Sequence, residues 1–289
     1  MHYEGMIIRP PSEANSILLQ VTVGCSHNKC TFCGTYKGER FKIKPDEQIM
    51  QDIAYAAKHF TFAKRLFICD GDALIVPQKR LVNIVKEINR QIPWLERISL
   101  YANTKGIKMK SDDELTELRE LGISLAYMGL ETGDDATLRH VKKGATAEHM
   151  IAMGKKIRNA KIQLSITVLL GIAGRQRSEE HAKATGRVLS AIDPEYVGAL
   201  SLMLIPGTKL YEEYEAGTFE MIGSTEMLTE LRIMLQKTHL TNGLFHANHA
   251  SNYLPIRAKL PEDKEKTLQR IDEALSGKVR LKPEFLRAL

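Results

Sequence analysis

The chain has 289 residues, 43% of them hydrophobic, and 41 Lys and Arg against 35 Asp and Glu give a formal charge of +6. That composition reads as a soluble globular chain with a sizeable core, built as one large barrel or as two domains. No apolar stretch is long enough to span a bilayer, the opening Met1 to Pro11 lacks the basic start and apolar run of a secretory signal, and the chain is neither short nor Cys-rich as a disulfide framework would want, so a reducing cytoplasm is expected. Lys and Arg are scattered among acids apart from short clusters such as Lys155-Lys156, a pattern that favours solvated helix faces over a nucleic-acid groove.

Taken in chain order, Ser16 to Val23 is a β-rich run that ends at Gly24, directly before Cys25-Ser26-His27-Asn28-Lys29-Cys30-Thr31-Phe32-Cys33. Helical periodicity follows from Pro45 to Lys58, then a strand from Arg65 to Cys69, then a helix from Pro77 to Arg90 with proline at its first turn. Ile98 to Ala102 predicts a third strand. Ser111 to Leu121 predicts a helix with Ser111 and Glu114 spaced as a capping box, stopped by Gly122. Ser124 to Leu130, Gln163 to Leu170 and Tyr196 to Met203 predict three more strands, between helices near 146–160 and 178–192. Six strand–helix repeats with near-continuous apolar strands predict an α/β fold on a parallel sheet, with function on the loops that follow the strands. The division expected is 1–217 for this body and 218–289 for a mostly helical extension with an irregular segment in its middle.

Three of the four cysteines crowd into nine residues of the loop after the first strand. Structural zinc normally takes four ligands in two pairs, and the second pair is missing. A thioredoxin-like pair could use Cys30 and Cys33 but leaves Cys25 without a role. Four iron atoms held by three thiolates, with one iron left open, fit the spacing best; zinc and redox use remain the alternatives.

Later strand ends carry further signals. After the second strand stands Asp70-Gly71-Asp72-Ala73, which taken alone is also a plain turn with two solvated aspartates. After the fourth stands Gly129-Leu130-Glu131-Thr132-Gly133, where a carboxylate ending an apolar strand is costly without partners. After the fifth stands Leu170-Gly171-Ile172-Ala173-Gly174, whose letters also describe a glycine-rich turn, and after the sixth Leu204-Ile205-Pro206-Gly207-Thr208-Lys209-Leu210-Tyr211. In this order, behind the triplet, they make residues 14–215 resemble the radical S-adenosylmethionine superfamily. Within it, the chain is similar to the branch of methylthiotransferases, the elongator catalytic subunit and cobalamin-dependent members. The cysteine spacing departs from the usual one: CX4CX2C, one residue longer in the first gap, with Phe32 keeping the aromatic place.

The resemblance implies a partial (β/α)6 TIM-type barrel and a 4Fe-4S cluster held by Cys25, Cys30 and Cys33. It implies S-adenosylmethionine with Phe32 against the adenine, Asp70, Gly71 and Asp72 at the methionine ammonium, Glu131 at the cofactor's polar groups, and Gly171 and Ile172 passing the adenine. Pro206, Gly207 and Thr208 would close the barrel. The activity implied is reductive cleavage of S-adenosylmethionine to a 5'-deoxyadenosyl radical acting on a small organic substrate, with an electron donor such as flavodoxin or ferredoxin and no membrane partner. No residue is assigned to chemistry on the substrate. Two other readings stand beside it: a noncatalytic cluster- or haem-handling protein on the same barrel, and an RNA-modifying enzyme.

Cys69, among Leu66, Phe67 and Ile68, reads as a buried inert thiol. The segment Phe245 to Tyr253 is dense in His and Asn without the spacing of a metal site, and it either reads substrate across the barrel opening or plugs the open side.

Overall fold

The computed structural model describes residues 1–288. The chain divides into two compact units, one of residues 1–28, 35–128 and 153–164, the other of residues 29–34, 129–152 and 165–289.

The first unit begins with β1 (Ile17–Gln20), β2 (Thr22–Val23) and β3 (Lys42–Ile43), then α1 (Asp46–His59), β4 (Arg65–Cys69), α2 (Gln78–Gln91) and β5 (Arg97–Ala102). It continues through α3 (Thr104–Met109), α4 (Asp112–Glu120) and most of β6 (Ile123–Glu131). β1, β4, β5 and β6 lie side by side in that order, all parallel, with Leu19 opposite Ile68 and Ile68 opposite Leu100. Leu66, Phe67, Ile68 and Cys69 are all buried, as expected of a strand covered on both faces. α2 packs through Leu81, Val82, Ile84, Val85 and Ile88, the apolar stripe of a 3.6-residue period; each such side chain removed from water contributes ~1.5–3 kcal/mol. The capping box of α4 forms as its spacing predicts: the Glu114 N–H donates to Ser111 Oγ and the Ser111 N–H to Glu114 Oε2.

Two expectations need correction here. The run from Ser16 to Val23 is not one strand: it stops at Gln20, and Thr22–Val23 turns away to pair antiparallel with Lys42–Ile43. The short helix α3, six residues long, was not expected, being too brief to leave a periodic pattern.

Inside this unit Phe67, Tyr101 and Tyr127 meet edge to face, with ring centroids 4.9, 5.7 and 6.1 Å apart. Tyr127 Oη donates to the wholly buried Glu13 at 2.6 Å, and Glu13 also accepts from Ser16 Oγ and, at 2.6 Å, from Arg97 Nη2. Burial alone would raise the Glu13 carboxyl, but the hydroxyls of Ser16 and Tyr127 and the Arg97 guanidinium together hold it below its ordinary value of 4.5. A depressed folded value contributes stability above the unfolded value that is lost as pH falls through the lower one. Urea midpoints measured from pH 5 down to pH 3 are therefore expected to fall more steeply for the native chain than for Glu13→Gln; parallel slopes would refute this.

The second unit holds the end of β6, α5 (Asp135–His140), part of α6 (Ala147–Asn159), most of β7 (Gln163–Leu170), α7 (Ser178–Ile192), β8 (Tyr196–Ser201) and α8 (Lys209–Glu215). It closes with α9 (Ser224–Lys237), β9 (Gly243–His246), β10 (Arg257–Leu260) and α10 (Lys264–Leu275). β7 and β8 pair in parallel, β8 and β9 likewise, and β9 with β10 antiparallel. The extension is helical at α9 and α10, but its middle is not irregular at the start: Phe245 and His246 belong to β9, a seventh parallel strand. Four residues with one buried aromatic carry too little alternation to announce a strand.

Candidate functional site

In the first unit the loop after β1 meets the loops after β4 and β5. A Cβ placed on Gly71 would lie 2.7 Å from Cys25 Cβ and 2.8 Å from Cys25 Cα, so only glycine fits there without displacing the cysteine. The Gly71 N–H donates to the Gly24 carbonyl at 3.1 Å, fixing the two loops to one another. Ser26 Oγ donates to Asp72 Oδ2 at 3.0 Å, and Asn103 Nδ2 donates to Ser26 Oγ at 3.0 Å while its own Oδ1 caps α3 by accepting from the Gly106 N–H. One hydrogen-bonded chain thus ties Cys25-Ser26 to two neighbouring strand ends.

Asp70 and Asp72 are both buried, and burial pushes each carboxyl up to about 6. Asp70 accepts from Gln20 Nε2 at 2.6 Å and from the Tyr36 hydroxyl at 3.4 Å. Asp72 Oδ1 is buried with no hydrogen-bond partner, an orphaned acceptor of the kind a buried cation or ammonium satisfies. Asp70 also takes a left-handed backbone, φ 71°, as does Glu131, φ 64°. For residues with a side chain such angles cost ~1–3 kcal/mol and gather at ligand-binding loops.

In the second unit the segment Cys30 to Gly34 is held from two sides. The Thr31 N–H donates to the Val141 carbonyl and the Thr31 carbonyl accepts from the Leu210 N–H, both at 3.0 Å. Thr208 caps α8 by accepting from the Tyr211 N–H, so the Pro206-Gly207-Thr208 turn delivers the helix start that grips this segment. Phe32 packs against a cluster of Val141, Ile172, Leu202, Leu210 and Phe219, which brings the expected Phe32 and Ile172 into one apolar patch. Glu131 is buried and paired with Lys143 Nζ at 2.7 Å, the partner that its cost of burial called for. Gly171 adopts φ 82°, and a Cβ there would meet Met227 Cε at 3.0 Å.

Cys25, Cys30 and Cys33 are half-exposed thiols and Cys69 is buried, its thiol raised by burial and by neighbouring Asp70. Among the described residues no group of three or more His, Cys, Asp or Glu side chains could hold a metal ion. Cysteine sulfur is the soft donor that an iron–sulfur cluster takes, and the orphaned Asp72 oxygen is an acceptor of the kind an ammonium group takes.

The His- and Asn-rich segment is anchored at the end of β8. Asn252 accepts from Ser201 Oγ at 2.8 Å and donates to the Ala199 carbonyl at 2.7 Å, while Ser251 Oγ accepts from the Ser201 N–H. Arg287 stacks on Tyr253 at 4.3 Å and donates to the Ser251 carbonyl, clasping the segment from outside. Burial lowers His246 and His249, with Arg257 and Lys282 adding to it.

Residues 19–185, more than half of the chain, match the pattern of the Radical SAM superfamily. An uncharacterised protein of Methanocaldococcus jannaschii is 24% identical over 226 residues, which cover 74% of this chain and 68% of that protein. A tRNA-2-methylthio-N(6)-dimethylallyladenosine synthase of Dehalococcoides mccartyi is 26% identical over 206 residues, 68% of this chain and 48% of that enzyme, so the chain spans about half its length. Among solved structures, the radical S-adenosylmethionine methyltransferase TsrM from Kitasatospora setae, with cobalamin and a 4Fe-4S cluster bound, overlays with a TM-score of 0.56 at 18% identity, covering 68% of this chain and 39% of that one. That likeness is one of fold, and it identifies the parallel α/β architecture as a partial TIM-type barrel.

Proposed function

Since the chain belongs to the Radical SAM superfamily, we propose that it holds a 4Fe-4S cluster through Cys25, Cys30 and Cys33, cleaves S-adenosylmethionine reductively, and acts on a small organic substrate. When bound, the cluster and S-adenosylmethionine supply a 5'-deoxyadenosyl radical able to take hydrogen from a substrate. The protein's part is binding, orientation and exclusion of water. Asp72, with the backbone of Asp70 and Gly71, accepts from the methionine ammonium; a carboxyl that burial has raised to about 6 is returned to its ionised form by such a partner. Phe32 lies against the adenine, the Gly171-Ile172 backbone passes it, and Glu131, already balanced by Lys143, faces the cofactor's polar groups.

The observation that carries this reading is the close approach of Gly71 to Cys25, near enough that a Cβ on Gly71 would collide with it, with the Gly71 N–H bonded to the Gly24 carbonyl at 3.1 Å. An electron donor such as flavodoxin or ferredoxin completes the reaction. No helix among the described residues is long and apolar enough to cross a membrane. We assign the protein to the cytoplasm, whose reducing poise suits half-exposed free thiols.

The test is anaerobic reconstitution with iron and sulfide, reduction by dithionite with S-adenosylmethionine present, and assay of 5'-deoxyadenosine. Its formation supports the reading; a loaded cluster with no 5'-deoxyadenosine favours a noncatalytic cluster- or haem-handling role. A second reading, action on RNA, is favoured by the name of the Dehalococcoides relative and by the charge of +6. Binding to transfer RNA that weakens steeply with salt would support it, and absence of binding at low salt would remove it.

A further inference from the structure

Behind the ends of β6 and β7 lies a buried polar network that the proposed cofactor contacts do not use. His181, on α7, is wholly buried, as is the carboxylate of Glu230 on α9. Lone ionisable groups in such a place are costly, so each must be spent on a partner. Glu230 Oε1 accepts from the Gly171 N–H at 2.6 Å and Oε2 accepts from Ser178 Oγ at 2.5 Å. Met227, one turn earlier on α9, fills the space beside Gly171, so a single helix face both holds and presses the loop after β7.

The same network reaches the loop after β6. Thr132 Oγ1 accepts from the Asp134 N–H at 3.0 Å and is hydrogen-bonded to His181 Nδ1 at 2.7 Å. Thr185 Oγ1, one turn along α7 from His181, accepts from the Gly133 N–H at 2.8 Å. His181 Nε2 lies 3.2 Å from Glu230 Oε1, beside it but without a hydrogen bond. The imidazole that holds Thr132 and the carboxylate that holds Gly171 thus lie side by side in the protein interior, 3.2 Å apart.

We propose that His181 and Glu230 are positioning residues: a buried clasp that fixes the spacing of the loops after β6 and β7 and thereby sets affinity for S-adenosylmethionine, without touching it. The proposal rests on the reading that Glu131 and Gly171-Ile172 contact that cofactor. Removing the carboxylate strands the Gly171 N–H and the Ser178 hydroxyl, and frees a loop whose left-handed backbone that carboxylate holds. The loop then samples other positions, and binding pays for its ordering.

Equilibrium dialysis of S-adenosylmethionine against the full-length, cluster-loaded chain tests this. Glu230→Ala is expected to raise the dissociation constant about tenfold to a hundredfold, while the rate of 5'-deoxyadenosine formation at saturating cofactor changes by less than about threefold. Glu230→Gln, which keeps an oxygen for the Gly171 N–H, is expected to recover part of the loss. Should Glu230→Ala fail to fold, Glu230→Gln and Thr185→Ala carry the test, each predicted to weaken binding. Glu131→Ala, which removes the side chain read as facing the cofactor, separates the two layers of inference. Weak binding by Glu131→Ala with native affinity in the clasp variants overturns the clasp alone, whereas native affinity in Glu131→Ala and the clasp variants together overturns the cofactor reading beneath it.

Discussion

Replacing Cys25, Cys30 or Cys33 by Ala is expected to give a folded chain that neither retains a 4Fe-4S chromophore nor makes 5'-deoxyadenosine above background. Thiolates are the ligands of such clusters, and even outer-shell changes at metal sites typically cost about 10- to 100-fold, so loss of a ligand should exceed that. Folding should survive because all three side chains are half-exposed and none supports the core. The loop keeps its shape through backbone bonds instead, from Thr31 to Val141 and Leu210 on one stretch and from Gly24 to Gly71 on the other. Iron content, visible absorbance and the thermal midpoint of the apo chain decide the matter together. A native cluster spectrum in all three variants would sink the assignment, while unfolded variants would show that the cysteines do structural work.

Gly71→Ala is expected to have the next largest effect. The new methyl would sit 2.7 Å from Cys25 Cβ and 2.8 Å from its Cα, and backbone cannot swing aside as a long side chain can. Overpacking of this kind costs ~1–3 kcal/mol. Here the strain falls on Cys25, one of the three proposed cluster ligands, so iron per chain after reconstitution should drop well below native even where the apo chain still melts cooperatively. Ser26→Ala provides the comparison: it breaks the bond to Asp72 without adding bulk, costs about 1 kcal/mol, and should leave most of the cluster in place. Equal and full iron content in both variants would show that the contact of these loops does not matter for holding iron.

Much of this architecture was legible because it repeats. Each of the six expected strands contains or overlaps an observed one, since a parallel strand covered on both faces must be a short apolar run, and the helices between them announce themselves by a 3.6-residue stripe. Ser111 and Glu114 specified a helix start from four residues, and the structure builds it. What the letters concealed is long-range or short. Nothing in Gln20-Val21-Thr22 says that the chain leaves the sheet there, because the partner ribbon at Lys42 is twenty residues away. The burial cost of Glu131 predicted that it needed company, but not that the company is Lys143. Glu230, in a helix that reads as an ordinary amphipathic one, gave no sign that its carboxylate crosses the interior to hold Gly171, since one buried acid in a helix looks like any exposed acid until the fold is known.

The last strand in the order, β10, sits at a sheet margin, where unpaired N–H and C=O groups invite another molecule to add its own strand. Here the invitation is withdrawn locally. The Lys259 N–H donates to Asp263 Oδ2 at 2.9 Å, and the Lys259 carbonyl accepts from the Asp263 N–H at 2.7 Å, so both outward groups of Lys259 are consumed by the turn into α10. The Arg257 and Lys259 side chains are exposed on this strand, the Lys259 ammonium 2.7 Å from Glu262, so an approaching copy would meet a charged margin. This margin should therefore resist end-to-end stacking of molecules, keeping concentrated protein from growing into fibres through that edge.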